Sequence, residues 1–150
     1  MPQSLSNILV HIVFSTKNRQ DLISPSIETE LYTYLAQIYK TKSCPALIIG
    51  GTANHIHCLC RLERTITIAH LLEDVKKSSS KWIKTKDSEF SDFGWQKGYG
   101  AFSIGASNIE ALTHYIRNQK QHHQNTSFKN EYRILLKKYD IEFDERYVWD

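Results

Sequence analysis

The chain has few cysteines and no long apolar run. Three cysteines among 150 residues cannot all pair with one another, and Cys58 and Cys60 stand too close on an extended strand to bridge easily. No apolar stretch approaches the roughly 20 residues that a membrane-spanning helix needs. The N-terminal "NILVHIVFS" is too short, and wrongly flanked, for a signal peptide. These absences point to a reducing, cytoplasmic setting with free thiols. There is also no low-complexity tract, no internal repeat and no linker that divides the chain. Residues 1–150 therefore read as a single domain, long enough for one hydrophobic core and too short for two comfortable ones.

What is present is an ordinary globular composition, 41% hydrophobic and 23% charged. The formal net charge of +3 says less than its distribution. Lys76, Lys77, Lys81, Lys84 and Lys86 crowd one short stretch, whereas Asp140, Glu142, Asp144, Glu145 and Asp150 gather near the C-terminal end. A basic patch on a nearly neutral chain suggests a local polyanion site rather than general stickiness.

"NILVHIVFST", from Asn7 to Thr16, is rich in β-branched and aromatic residues and predicts a strand. Ser24 and Pro25 suit a helix start, as cap and first helical residue. Ile27, Leu31, Leu35 and Ile38 then recur at helical spacing to about residue 42. Cys44 to Ile49 reads as a second strand, broken by Gly50 and Gly51, and His55 to Leu62 as a third, giving a hairpin. Thr67 can cap a second helix with an apolar stripe (Ile68, Leu71, Leu72, Val75, Trp82, Ile83) and a basic face. Tyr99 to Ile104 reads as a fourth strand. Ser107 and Glu110 have capping-box spacing, which opens a helix to about His123, and a last helix is expected from Phe128 to Tyr139. The first six elements give β-α-β-β-α-β, an α+β, ferredoxin-like or RRM-like antiparallel sheet with helices on one face. Two C-terminal helices are added to it.

"GTANHIHCLC", Gly51 to Cys60, packs two histidines and two cysteines into six residues. Strand alternation sends His55, His57 and Leu59 to one face and Ile56, Cys58, Cys60 and Leu62 to the other. The second set is apolar, and free cysteine behaves there as a small hydrophobe. The apparent four-ligand cluster thus divides into half a metal site and two core cysteines. A zinc-stabilised structural protein would need all four, and the apolar setting of the cysteines argues against it. A further ligand has to come from another element. "HYIRNQKQHH", His114 to His123, offers Tyr115 and Gln119 on one helical face, with Ile109, Leu112 and Ile116 as the apolar stripe beside them. From spacing alone, Tyr115 as a core-edge residue and Gln119 as a solvated one is the favoured reading, with a nucleophile and a third ligand as the alternative.

His55-Ile56-His57 resembles the HUH motif, and "YIRNQKQHH" resembles the tyrosine helix of single-tyrosine HUH transposases of bacterial insertion sequences, whose relatives include the REP-associated tyrosine transposases. "HIVFSTKNR", "GGTANHIHCL", "LLEDVKKSSSKWI", "WQKGYGAFSI" and "DERYVWD" extend the likeness over most of the chain. The resemblance implies a metal-dependent enzyme that cleaves and rejoins single-stranded DNA at hairpin ends. Position by position, it makes Tyr115 the nucleophile and His55, His57 and Gln119 the ligands of a divalent ion, Mg²⁺ or Mn²⁺. It assigns no ligand role to His122 or His123. It also implies a 5′-phosphotyrosine intermediate and a homodimer.

In a DNA enzyme the basic helix becomes a phosphate contact, with Lys76, Lys77 and Lys81 the preferred set. Without that context its lysines read as a solvated face. Lys17, Arg19, Trp95 and Tyr99 are further strand or base contacts, because exposed aromatics can stack unpaired bases. The competing reading is a non-catalytic RRM-like nucleic-acid-binding module.

Overall fold

The structure is a computed structural model and describes residues 2–150. Four strands, β1 (Ile8–Ser15), β2 (Ala46–Thr52), β3 (His55–Leu62) and β4 (Gly100–Ile104), form one antiparallel sheet in the order β2-β3-β1-β4. Two long helices lie between them in sequence, α1 (Pro25–Thr41) and α2 (Ile68–Ile83). The chain ends in α3 (Ile109–Arg117), the short α4 (Gln119–His122) and α5 (Phe128–Lys138). The strand order and connections are those of the expected ferredoxin-like sheet.

The two faces of the sheet are covered by different helices. On one, Val10, Ile12, Phe14, Ile56, Cys58 and Cys60 pack against Leu31 and Leu35 of α1 and Leu71, Leu72 and Val75 of α2. Cys44, Cys58 and Cys60 are free and buried in that layer. On the other face, Leu9 and Leu59 pack against Ile116 of α3. Val13 and Phe102 there meet Phe128, Tyr132, Leu135 and Leu136 of α5. Each such side chain contributes about 1.5–3 kcal/mol over its exposed state. That burial stabilises an 11-residue helix that would be marginal alone.

Three local expectations change. β2 runs through Gly50 and Gly51 to Thr52 instead of ending at Ile49, because α3 lies so close that the missing side chain is a requirement. A Cβ on Gly50 would stand 2.4 Å from the Ile116 carbonyl oxygen. Ser107 caps nothing, since Ala106–Asn108 forms a 3-10 turn and α3 begins after Asn108 with no side-chain cap. The helix expected to reach His123 is also interrupted at Asn118 (φ −101°, ψ 25°), which separates α3 from α4. Thr67 and Ser127 do cap, accepting from the His70 and Asn130 amides.

Candidate metal and nucleophile centre

Strand alternation on β3 turns His55 and His57 toward the α3/α5 side, where both are fully buried. Tyr115 on α3 and Gln119 at the start of α4 stand one helical turn apart and reach the same place. Gln119 Oε1 lies 2.9 Å from His55 Nε2, and the Tyr115 ring centroid is 5.7 Å from that of His57. The four residues implied by the resemblance are therefore brought together within one chain.

Three residues that the sequence reading left out join them. Glu131, on α5, reaches the centre of the cluster. Its Oε1 is 3.0 Å from His57 Nε2, 2.9 Å from His123 Nε2 and 3.4 Å from His55 Nε2. Its Oε2 accepts from Gln119 Nε2 at 3.0 Å and from the Tyr115 hydroxyl. His11 on β1 places Nε2 2.8 Å from His57 Nδ1. His122, by contrast, is exposed, with Nε2 3.6 Å from Glu131.

A signal for each was present. Phe128, Glu131, Tyr132 and Leu135 fall at i, i+3, i+4 and i+7, so Glu131 is an acid within the buried stripe of its helix. His123 follows Gln119 by four. His11 is a lone imidazole in an otherwise apolar strand.

Burial alone would raise the Glu131 carboxyl, but hydrogen bonds from His123, His55 and His57 outweigh it and hold the group far below the usual carboxylate range. Burial lowers His57, against the pull of Glu131, and so keeps it neutral. His11 is lowered to about 3, by burial first and by His57 second. His123 is raised, because Glu131 and the Thr126 carbonyl overcome its desolvation. Tyr115 is pushed above its ordinary value by burial and then by the Glu131 charge, so the phenol carries its proton at neutral pH.

The donor set fits a divalent cation. One ligand atom from each of His55, His57, His123 and Glu131 lies within 4.8 Å of the others. His55 Nδ1 is 2.8 Å from Asn54 Oδ1, and His123 Nδ1 is 2.8 Å from the Thr126 carbonyl. Both partners are acceptors, so in the neutral rings the Nδ1 atoms carry the protons and the Nε2 lone pairs face inward. The cysteines contribute nothing to this cluster. They lie across the sheet, which corrects any reading of "GTANHIHCLC" as a four-ligand site.

A cleft of about 420 Å³ reaches Tyr115, His11 and Glu131, lined by Ile104, Leu112, Ile134 and Tyr139 among others. It leaves Tyr115 reachable from outside while His55 and His57 stay buried.

The remaining predicted contacts fall elsewhere. α2 packs on the opposite face of the sheet from the histidines. Lys77 and Lys81 are exposed there. The Lys76 ammonium is instead hydrogen-bonded to the carbonyls of Gln96, Lys97 and Gly98 at 2.8, 3.2 and 2.6 Å, and burial lowers it to about 8. Trp95 is buried, donates to Ser79 Oγ and packs edge-on to Phe14 and Phe93, so its ring belongs to the core. Tyr99 is partly exposed, with Lys76 over its ring. Lys17 is exposed, and Arg19 donates to the Trp149 carbonyl at 3.0 Å.

A ferredoxin-like sheet presenting a histidine pair, an amide and a tyrosine at one point defines an α+β scaffold with a candidate metal site beside a tyrosine. The family pattern described as "Transposase IS200 like" matches residues 4–119, and the chain belongs to that family, the single-tyrosine HUH transposases. Among solved structures, a candidate transposase of Deinococcus radiodurans is similar at 16% identity and a TM-score of 0.62, over 79% of this chain and 98% of that one. A REP-associated tyrosine transposase bound to a REP hairpin is similar at 13% identity and a TM-score of 0.61, over 82% of this chain and 72% of that one. At those identities the likeness is one of fold. No functionally curated protein matches the chain. Among the described residues, no helix is long and apolar enough to cross a membrane.

Proposed function

We propose that the protein cleaves and rejoins single-stranded DNA at hairpin ends, with Tyr115 as nucleophile and a divalent ion, Mg²⁺ or Mn²⁺, held by His55, His57 and Gln119. The observation that carries this reading is the convergence of Tyr115 and Gln119 on the histidine pair of the same chain. Membership of a transposase family supports the reaction class, and the hairpin bound by a similar fold supports the substrate class.

Tyr115 Oη attacks the scissile phosphorus. The Oη–P bond forms, the P–O3′ bond breaks, and the DNA is left with a free 3′-OH and a 5′-phosphate on tyrosine. The phenol proton leaves toward Glu131 Oε2, which already accepts it, and the departing O3′ takes a proton from water. Because the phosphotyrosine keeps the energy of the broken bond, a 3′-OH can later reverse the attack and join strands without ATP. A bound divalent ion would supply Lewis-acid stabilisation of the phosphate charge. His55 and His57, through Nε2, and Gln119, through Oε1, are the residues that would hold it.

One tyrosine per chain holds one DNA end, so joining two ends calls for two copies, arranged most simply as a symmetric homodimer. Lys77 and Lys81, and around the sheet edge Lys17 and Arg19, are the proposed backbone contacts, with Tyr99 as a stacking platform. Lys76 and Trp95 act on that surface indirectly, by fixing the segment that carries Lys97 and Tyr99.

Incubation with labelled single-stranded hairpin ends and Mn²⁺ tests the reading. A covalent protein–DNA adduct is expected, lost with EDTA while DNA binding persists. Salt-sensitive binding without any adduct would favour the non-catalytic RRM-like module instead.

A further inference from the structure

The family match stops at Gln119, yet the residue with the most contacts to the centre comes after it. We propose that Glu131 is a bridging residue of the site, with Oε1 a ligand of the divalent ion and Oε2 the tether of the Tyr115 hydroxyl. This rests on the metal-dependent reading above and deepens it.

Glu131 is only 2% exposed, and a buried carboxylate is costly unless paired or bound to metal. Among the described residues, its ion-pair partners are all imidazoles: His55, His57, His122 and His123. No lysine or arginine among the described residues pairs with it.

With Nδ1 of His55 donating to Asn54 and Nδ1 of His123 donating to Thr126, a neutral ring has no proton left at Nε2. Gln119 Nε2 donates to Glu131, which turns the amide oxygen toward His55 Nε2. Glu131 Oε1, Gln119 Oε1 and the inward Nε2 atoms thus converge as lone pairs on one point. A divalent cation satisfies all of them together, whereas protons on neutral imidazoles cannot.

The two carboxylate oxygens of Glu131 face different partners. Oε1 faces the imidazoles and Oε2 faces the phenol and the Gln119 amide. A single rigid carboxylate therefore sets the distance between ion and nucleophile. It does so from α5, which is anchored independently by Phe128, Tyr132, Leu135 and Leu136. The mixed imidazole and oxygen set also suits Mn²⁺ better than Mg²⁺, which prefers oxygen ligands.

The test uses full-length, metal-stripped protein and two readouts: calorimetric titration with Mn²⁺, and adduct formation with a hairpin-ended single strand. Relative to wild type, Glu131→Gln is expected to weaken Mn²⁺ binding at least 10-fold, as His57→Ala does, with Glu131→Asp recovering part of it. At saturating Mn²⁺, Glu131→Gln is still expected to form adduct at least 10-fold more slowly, because Tyr115 has lost its tether. Wild-type Mn²⁺ affinity in Glu131→Gln, with binding lost in His57→Ala, overturns the ligand role and leaves the metal site of the proposed function standing. Full recovery of adduct at saturating Mn²⁺ overturns the tether. If wild type and His57→Ala bind Mn²⁺ alike, the metal-dependent reading fails and this one with it. Melting temperatures of the metal-free variants, matched to wild type, separate these outcomes from misfolding.

Discussion

The Tyr115 hydroxyl donates a hydrogen bond to Glu131 Oε2, so the tyrosine of α3 is held by the helix that comes last in the chain. This contact closes the centre within one chain. α3 and α5 both pack on the histidine-bearing face of the sheet, and the position of each therefore bears on the nucleophile.

Gly50 sets how near α3 can come. A Cβ there would stand 2.4 Å from the Ile116 carbonyl oxygen and 3.0 Å from Ile116 Cγ2. Backbone cannot yield as a flexible side chain does, so Gly50→Ala should displace the helix that carries Tyr115. The expected cost is about 1–3 kcal/mol of stability, measured by denaturant unfolding, with adduct formation reduced roughly 10-fold or more, the scale that a small misplacement produces. A fully active, fully stable Gly50→Ala protein would show that the close approach is not required.

His11 orients His57. Because His11 is held neutral, its Nε2 is available to accept from His57 Nδ1, which leaves His57 Nε2 free for an ion. His11→Phe removes that acceptor while keeping an aromatic ring beside Phe102 and Tyr115. Mn²⁺ affinity should fall by about 10–100-fold, the usual effect of losing such a partner, and His11→Gln should restore part of it. Unchanged affinity in His11→Phe would mean that His57 is positioned by other contacts.

The halves of this centre differed in how readily they could be read from the sequence. Period-2 alternation separated His55 and His57 from Cys58 and Cys60, because on a strand the face follows from position alone. Tyr115 and Gln119 were assigned by the family resemblance; the four-residue helical step only allowed them to share a face, and that sharing survived the break at Asn118. Glu131 was missed because its partners lie 74 residues away at His57 and 16 away at Tyr115, and no local period encodes such a meeting. Its one local mark was an acid on an apolar stripe. The Ser107 capping box failed for the opposite reason. The motif was present, but the chain leaving β4 tightens into a 3-10 turn and starts the helix after it. Gly50, read as part of a strand break, proved to be the point where a helix touches the strand.

Of the basic residues on α2, Lys77 and Lys81 face solvent while Lys76 is fastened to the Gln96–Gly98 carbonyls. Replacing Lys77 and Lys81 by alanine should weaken hairpin-DNA binding. It should also flatten the log K against log salt slope by about 0.7–0.9 for each phosphate contact removed, without changing the melting temperature by more than a few degrees. Lys76→Ala should instead lower stability, since it removes three hydrogen bonds that fasten the Gln96–Gly98 segment. An unchanged salt slope in the double variant would remove α2 from the DNA interface.

Tyr132 makes the anchoring of α5 sensitive to alkali. Burial raises its phenol from about 10 to about 12. The folded state therefore keeps the proton longer than the unfolded state. The stability this represents is fully present below pH 10 and is lost as pH rises from 10 through about 12. Wild type should lose stability more steeply across that window than Tyr132→Phe, as followed by urea unfolding at fixed salt. Parallel profiles would show that Tyr132 ionises alike in both states.

The central claim, that Tyr115 is the nucleophile of a metal-dependent strand-cleaving reaction, is tested most directly by mass-spectrometric mapping of the covalent adduct formed with single-stranded hairpin ends and Mn²⁺. The account predicts a 5′-phosphorylated DNA fragment on the peptide containing Tyr115, and no adduct from Tyr115→Phe. An adduct of undiminished yield in Tyr115→Phe, or one mapped to another residue, would contradict it.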